Sequence, residues 1–259
     1  MSKTAVLAVA GAAIGGAMFA FGFVAGTQPE TVNAGPSRAM APRAEVEAIV
    51  RDYLTANPEI LIEMQTALET KHEEQQRVAQ VDTIRAASDD IFNADYDGIV
   101  GNPEGNVTIV EFFDYNCGFC KRAMDDMDAM VENDPELRFV LKEFPILGPD
   151  SQRAHMVSMA FHRLAPESYA EFHRQLLGGS RATEDAAIAV AQGLGVDEAA
   201  LRQEMMNPDI AAAFETTYDI ANRLSITGTP SYVVGDEVVF GALGQAVLEE
   251  KIELIRATN

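Results

Sequence analysis

The strongest constraint on this chain is a pair of cysteines, Cys117 and Cys120, placed where a strand pattern stops and a helix pattern starts. Val107 to Tyr115 (VTIVEFFDY) is β-branched and aromatic, as a buried strand should be. Beyond Cys117, Met124, Met127, Met130 and Val131 recur on one helical face and read as core filler. No other cysteine occurs in 259 residues, which excludes a disulfide framework and a Cys₄ zinc site within one chain. A thiol at a helix N-terminus meets unpaired N–H groups and the positive end of the dipole, so its thiolate is favoured. Such thiols have pKa values of about 3.5–7.5, against about 8.5 for ordinary cysteine. Cys120, one turn later, is more sheltered and placed to attack a mixed disulfide on Cys117. Cys117 is therefore the expected nucleophile and Cys120 the resolving thiol. An inert disulfide and a metal site are the alternatives.

Around this pair the order of patterns is β-α-β, a helical insert, then β-β-α. Leu137 to Phe144 (LRFVLKEF) reads as a second strand, parallel to the first across a right-handed crossover. A helical stretch from about 150 to 224 follows, capped by Asp150 or Ser151 and punctuated by Gly178-Gly179, Gly193, Gly195 and Asn207-Pro208. Ser231 to Val234 and Glu237 to Phe240 flank Gly235-Asp236, a two-residue hairpin signal, and Gln245 to Ala257 closes as a helix. His155, His162 and His173 lie on expected helices with no third ligand at clear spacing and read as surface or core residues. The expected metal set is empty.

The N-terminal third is organised differently. Lys3 precedes an uncharged run from Thr4 to Gln28, long enough for a signal peptide or a membrane anchor (residues 1–26), with small residues at Val24-Ala25-Gly26 and Val32-Asn33-Ala34 as cleavage candidates. Residues 27–43 hold three prolines without periodicity and read as a linker. From 44 to 92 the pattern is helical. Val46, Ile49, Val50, Tyr53 and Leu54 form one stripe. Asn57-Pro58 restarts a helix with Asn57 as N-cap, and Ile60, Leu61, Met64 and Leu68 form its stripe. Lys71 to Arg77 is polar all round, a solvated helix or spacer, and the main domain is expected to begin near Asn93. Short amphipathic helices cannot hide such stripes alone, so self-association is expected, with packing inside the chain as the alternative.

The segments NVTIVEFFDYNCGFCKRA, LRFVLKEFPILGPDS and ITGTPSYVVGDEVVFGA resemble the exported thioredoxin-fold disulfide oxidoreductases of the DsbA type, over about residues 93–257. Residues 44–90 resemble the N-terminal region of the ScsC-like and Com1-like bacterial branch. The resemblance implies an α/β, thioredoxin-like fold with an inserted helical subdomain and an N-terminal helical oligomerisation segment. It also implies that Thr229-Pro230 is a cis-proline loop facing the cysteines, where an extended substrate peptide pairs with a backbone edge. Thr229 would add a hydroxyl near the sulfurs. Glu111 would match a buried carboxylate that takes a proton as the pair cycles, with a polar strand-edge residue as the alternative.

Between the cysteines stand Gly118 and Phe119, where the best-known oxidising members carry Pro-His. Without an imidazole the reduced form is expected to be less favoured and the pair a weaker oxidant. Phe119 offers an apolar contact for unfolded substrates. The expected activity is thus disulfide interchange on protein substrates, leaning to isomerase or reductase, with no cofactor. A DsbA-like dithiol oxidase and a non-enzymatic Cu(I)-binding module are the alternatives. The expected partners are unfolded or misoxidised exported proteins, a membrane or periplasmic redox partner, and further copies of the chain, a trimer being the expected assembly. The expected location is periplasmic, either soluble after signal cleavage or anchored to the inner membrane by residues 4–28. Forty acidic against nineteen basic residues, a net charge of −21, argue against nucleic acid.

Overall fold

The computed structural model describes residues 42–258. The expected signal, cleavage sites and anchor, and almost all of the linker, lie outside the described residues. No helix among the described residues is long and apolar enough to cross a membrane. Two units are distinguished, one ending at Ile60 and one beginning at Leu61.

The first unit holds helix α1, Arg43–Ala56, with no buried residue. Asn57 ends this helix: its backbone N–H and its side-chain amide both donate to the Tyr53 carbonyl, at 3.0 and 2.8 Å. This corrects the expectation of Asn57 as an N-cap. Pro58 sits in the turn, and α2 spans Ile60–Ala86. The polar stretch 71–77 does not interrupt α2, because Glu, Gln, Lys and Arg are good helix formers even where no face is apolar.

In the second unit α2 runs to α3, Ser88–Phe92. Ile84, Ala87 and Ile91 are buried in the domain core, so the packed unit reaches back beyond the expected start at Asn93. Next come β1, Gly98–Gly101; β2, Val107–Phe113; α4, Gly118–Asn133; and β3, Leu137–Glu143. The helical insert is α5, Pro149–Leu164; a 3₁₀ turn, Pro166–Ser168; α6, Tyr169–Gly178; α7, Glu184–Gly193; α8, Glu198–Glu204; and α9, Pro208–Arg223. The chain closes with β4, Ser231–Val234; β5, Glu237–Phe240; and α10, Gln245–Thr258. Three insert helices are capped locally, by Thr183, Asp197 and Asn207, whose side chains accept from the N–H groups of Ala186, Ala200 and Asp209. For α5 the cap is Gly148 rather than Asp150 or Ser151. Its φ of +110° suits glycine, and Pro149 takes the first helical position.

The five strands form one sheet in the order β1-β3-β2-β4-β5. β2 and β3 are parallel and every other pair is antiparallel. The edge strand β1 was not anticipated: four residues, Gly-Ile-Val-Gly, carry too little pattern to read alone. Gly235, at φ +60°, makes the β4–β5 turn.

Both faces of the sheet are covered, which explains the unbroken apolar run of β2. Val107, Ile109 and Phe113 join one core cluster with Met127 and Met130 of α4 and the insert. Val110 and Phe112 join another with Ile84, Ile91 and Ile220. Each such side chain contributes about 1.5–3 kcal/mol by leaving water. By alternation Glu111 shares the face of Ile109 and Phe113, the face on which α4 lies. Glu111 is on the central strand, in register with Leu141 on one side and Tyr232 on the other, not at an edge.

Candidate active site

The site begins with the loop that leaves β2. Buried Asp114 accepts from the N–H groups of Asn116, Ile146 and Leu147, at 2.8, 2.8 and 2.9 Å, and from the Ser151 hydroxyl at 2.8 Å. The N–H of Tyr115 donates to Nε2 of His155 at 3.1 Å. Asn116 donates to the Ala182 carbonyl and accepts from its N–H, each at 2.9 Å. These bonds fix the loop before Cys117, which occupies the N-cap position of α4 in extended conformation.

Both cysteines are free. Cys117 is 7% exposed and Cys120 is fully buried. As a thiol, Cys117 donates from Sγ to the Thr229 carbonyl at 3.2 Å. As a thiolate it is held by the Cys120 thiol first, then by the Thr229 hydroxyl and the N–H groups of Cys120 and Phe119, against the cost of burial. Its pKa falls to about 5. Cys120 moves the opposite way, far above an ordinary thiol, because burial, its bond to Cys117 and the charge of Glu111 all disfavour a second anion. Of the two thiols Cys117 is thus the one that ionises first, and its charge disfavours ionisation of Cys120.

The Thr229–Pro230 peptide bond is cis. The structure brings this loop against Cys117, and Thr229 reaches the sulfur through its backbone carbonyl as well as its hydroxyl. Glu111 lies beneath, 3% exposed, its pKa pushed up to about 8 by burial and then by the Cys117 charge. Phe119 is 58% exposed, with the Arg122 guanidinium 4.4 Å from its ring centre. Cys117, Cys120, Glu111, Thr229 and Pro230 thus converge, with Phe119 on the adjoining surface.

A second group under the loop was not foreseen. Glu143, at the end of β3, accepts from the hydroxyls of Ser158 and Tyr169 at 2.6 and 2.8 Å and bonds Nδ1 of His155. Ser158 also shares a 2.7 Å bond with the Tyr115 hydroxyl. His155 and His173 are buried, and His173 is pushed down to about 3, mainly by burial and then by His155 and Arg174. His162 is lowered, chiefly by partial burial. The only hint in sequence was that His155 and Ser158 share a helical face with the apolar residues of α5. Among the described residues no group of three or more His, Cys, Asp or Glu is arranged to hold a metal ion.

Residues 108–253 match the DSBA-like thioredoxin domain, and residues 43–75 match the N-terminal domain of the copper resistance protein ScsC. Disulfide bond formation protein D of Bacillus subtilis (strain 168) is 26% identical over 168 residues, 60% of this chain and 75% of that protein. A thioredoxin-like oxidoreductase from Silicibacter pomeroyi DSS-3 is 38% identical with a TM-score of 0.62, covering 65% of this chain and 97% of that one. Proteus mirabilis ScsC in a transitional conformation is 26% identical with a TM-score of 0.57, covering 86% of this chain and all of the other. The protein belongs to the DSBA-like thioredoxin domain family and is a thiol–disulfide oxidoreductase of the DsbA/ScsC type.

Proposed function

We propose that this protein exchanges disulfides in exported protein substrates, as an isomerase or reductase rather than a dedicated oxidase. The observation that supports exchange is the division of labour between the sulfurs, an acidic Cys117 over a more deeply buried, reluctant Cys120. The lean away from a dedicated oxidase rests instead on Gly118-Phe119 in place of Pro-His and on the exposed apolar stripes of the N-terminal helices. The Cys117 thiolate attacks a substrate disulfide, forms a mixed disulfide and releases one substrate thiolate. A substrate thiol then resolves the mixed disulfide and leaves the substrate rearranged, with Cys117 regenerated. Alternatively Cys120 gives its proton to Glu111, attacks Cys117 and releases a reduced substrate. Glu111 suits that role because forming the mixed disulfide removes the Cys117 charge that helps hold its pKa up at about 8, which lowers the pKa and frees the carboxylate to accept a proton. Pro230 and Thr229 offer the edge along which an extended peptide lies, and Phe119 an apolar contact beside it.

The apolar faces near the N-terminus favour assembly. Within the first unit Val46, Ile49, Val50, Tyr53 and Leu54 are all exposed, and so, in α2, are Leu61, Met64 and Leu68. Helices with such stripes bury them against copies, and a trimer would set several sites around one space. Export to the periplasm accords with the reading of residues 1–26 as a signal or anchor and gives the cysteine pair an oxidising compartment.

Scrambled ribonuclease and insulin test the reading. The full chain should restore ribonuclease activity and reduce insulin, Cys117→Ser should abolish both, and Cys120→Ser should accumulate mixed disulfides. Binding of Cu(I) without either activity would instead favour the metal-handling module. Val50→Glu with Tyr53→Glu should convert the assembly to monomers in sedimentation; an unchanged mass would end the assembly proposal.

A further inference from the structure

The loop between α6 and α7 is held from both sides of the cysteine motif. Before the motif, Asn116 clasps both backbone groups of Ala182 and donates to Ser151 at 3.0 Å. After it, Lys121 donates to the carbonyls of Gly178 and Gly179, each at 2.6 Å. Ser180 and Arg181 are therefore pinned alongside the motif. Here a cavity of about 530 Å³ opens, lined by Asn116, Leu147, Asp150, Arg153, Ser180 and Arg181.

Two guanidiniums and one carboxylate line this cavity. Asp150 pairs with Arg153 at 2.6 Å and with Arg181 at 2.7 Å, which leaves one positive charge in excess. The arginine side chains remain 49% and 70% exposed. Exposed ion pairs of this kind contribute little to stability, so stability does not account for the cluster. In a chain of net charge −21, a cationic cavity next to the residue that precedes Cys117 is a local reversal of sign. Guanidinium groups offer paired N–H donors that match a carboxylate.

We propose that this cavity is a subsite for a carboxylate borne close to the disulfide that Cys117 attacks, with Arg153 and Arg181 as specificity-determining contacts. The proposal rests on the disulfide-exchange reading above and adds to it a class of substrate. The carboxylate belongs either to a small peptide disulfide such as glutathione disulfide or to an acidic residue beside a cysteine in a protein. The chemistry at sulfur is unchanged: Cys117 forms a bond to one substrate sulfur, the other leaves as thiolate, and Cys120 then displaces the first.

The test uses the reduced full chain and four oxidants: glutathione disulfide, and three peptide disulfides that differ only in Glu, Gln or Lys beside the cysteine. Second-order rates at about 0.15 M ionic strength, where the long-range field of the −21 chain is screened beyond about 8 Å, should rank Glu above Gln above Lys. In Arg153→Gln/Arg181→Gln the Glu rate should fall about fivefold while the Gln rate stays within about twofold. Arg181→Gln alone should give a smaller fall in the same direction. A parallel fall for glutathione disulfide assigns the subsite to small peptides as well as proteins; a fall confined to the Glu peptide assigns it to protein substrates. Equal rates for Glu and Gln in the wild-type chain, or equal losses in the variant, would overturn the proposal. Failure of the wild-type chain to exchange with any of the four would instead overturn the proposed function.

Discussion

Two buried glutamates on one face of the sheet have opposite surroundings. Glu111 on β2 and Glu143 on β3 share that face, because Phe113 and Glu143 are in register and Glu111 stands two residues from Phe113. Glu143 meets Ser158, Tyr169 and His155, three partners for one carboxylate. For Glu111 the acting influences are burial and the Cys117 charge, with no hydrogen bond among them. Residue type and burial are alike, so the donors decide the role. Glu143 is bonded through His155 to the loop that carries Cys117, whereas Glu111, without such donors, has the raised pKa that suits the proton-exchanging role proposed for it.

Removing the anchor should have the largest effect. His155→Ala leaves the Tyr115 N–H and one Glu143 oxygen without their partner inside the core. A loss of about 2–5 kcal/mol in urea unfolding is expected, part of it restored by His155→Gln. A loss below about 1 kcal/mol would mean that the Glu143 cluster does not hold the loop.

Glu111 should behave in the opposite sense. Its folded pKa, about 8, lies above the reference value of 4.5. The folded chain therefore holds the proton more tightly, and the stability linked to it is complete below about pH 4.5 and fades as pH rises to about 8. Glu111→Gln should make the reduced protein more stable at pH 7, by about 2–3 kcal/mol, and flatten its stability between pH 5 and 8. The same variant should slow release of the mixed disulfide by Cys120. Equal stability of the two proteins across that range would remove the distinction between the glutamates.

A smaller effect sharpens the contrast. Oxidation removes the Cys117 charge that helps raise Glu111, so the Glu111 pKa should drop below about 8 in the disulfide form. Carboxyl chemical shifts across a pH titration of both redox forms would show it. A Glu111 midpoint indifferent to redox state would separate this carboxylate from the sulfurs.

How far these features could be read in advance follows from their range along the chain. The strand before Cys117, the helix after it and the Gly235 turn are local, and their residues announce them. The contact of Thr229 with Cys117 spans more than a hundred residues and came through resemblance to a family, not through spacing. The Glu143 cluster joins β3, α5 and α6 to the loop that follows β2, and a glutamate in LRFVLKEF gives no sign of the three partners awaiting it. The start of α5 was misplaced because Asp150 and Ser151 are good capping types but are used elsewhere, in ion pairs with Arg153 and Arg181 and in a bond to Asp114. The expected weakness of the thiolate without an imidazole overlooked other donors: the Cys120 thiol, the Thr229 hydroxyl and two N–H groups hold Cys117 low on their own.

The central claim is that the charge of the pair resides on the outer sulfur at neutral pH. Thiolate absorbance of the reduced chain near 240 nm, with Cys120→Ala as the partner variant, measures this directly. A single ionisation with its midpoint near pH 5, shifted upward in the variant, is predicted. A midpoint near about 8.5, that of an ordinary cysteine, would contradict the account.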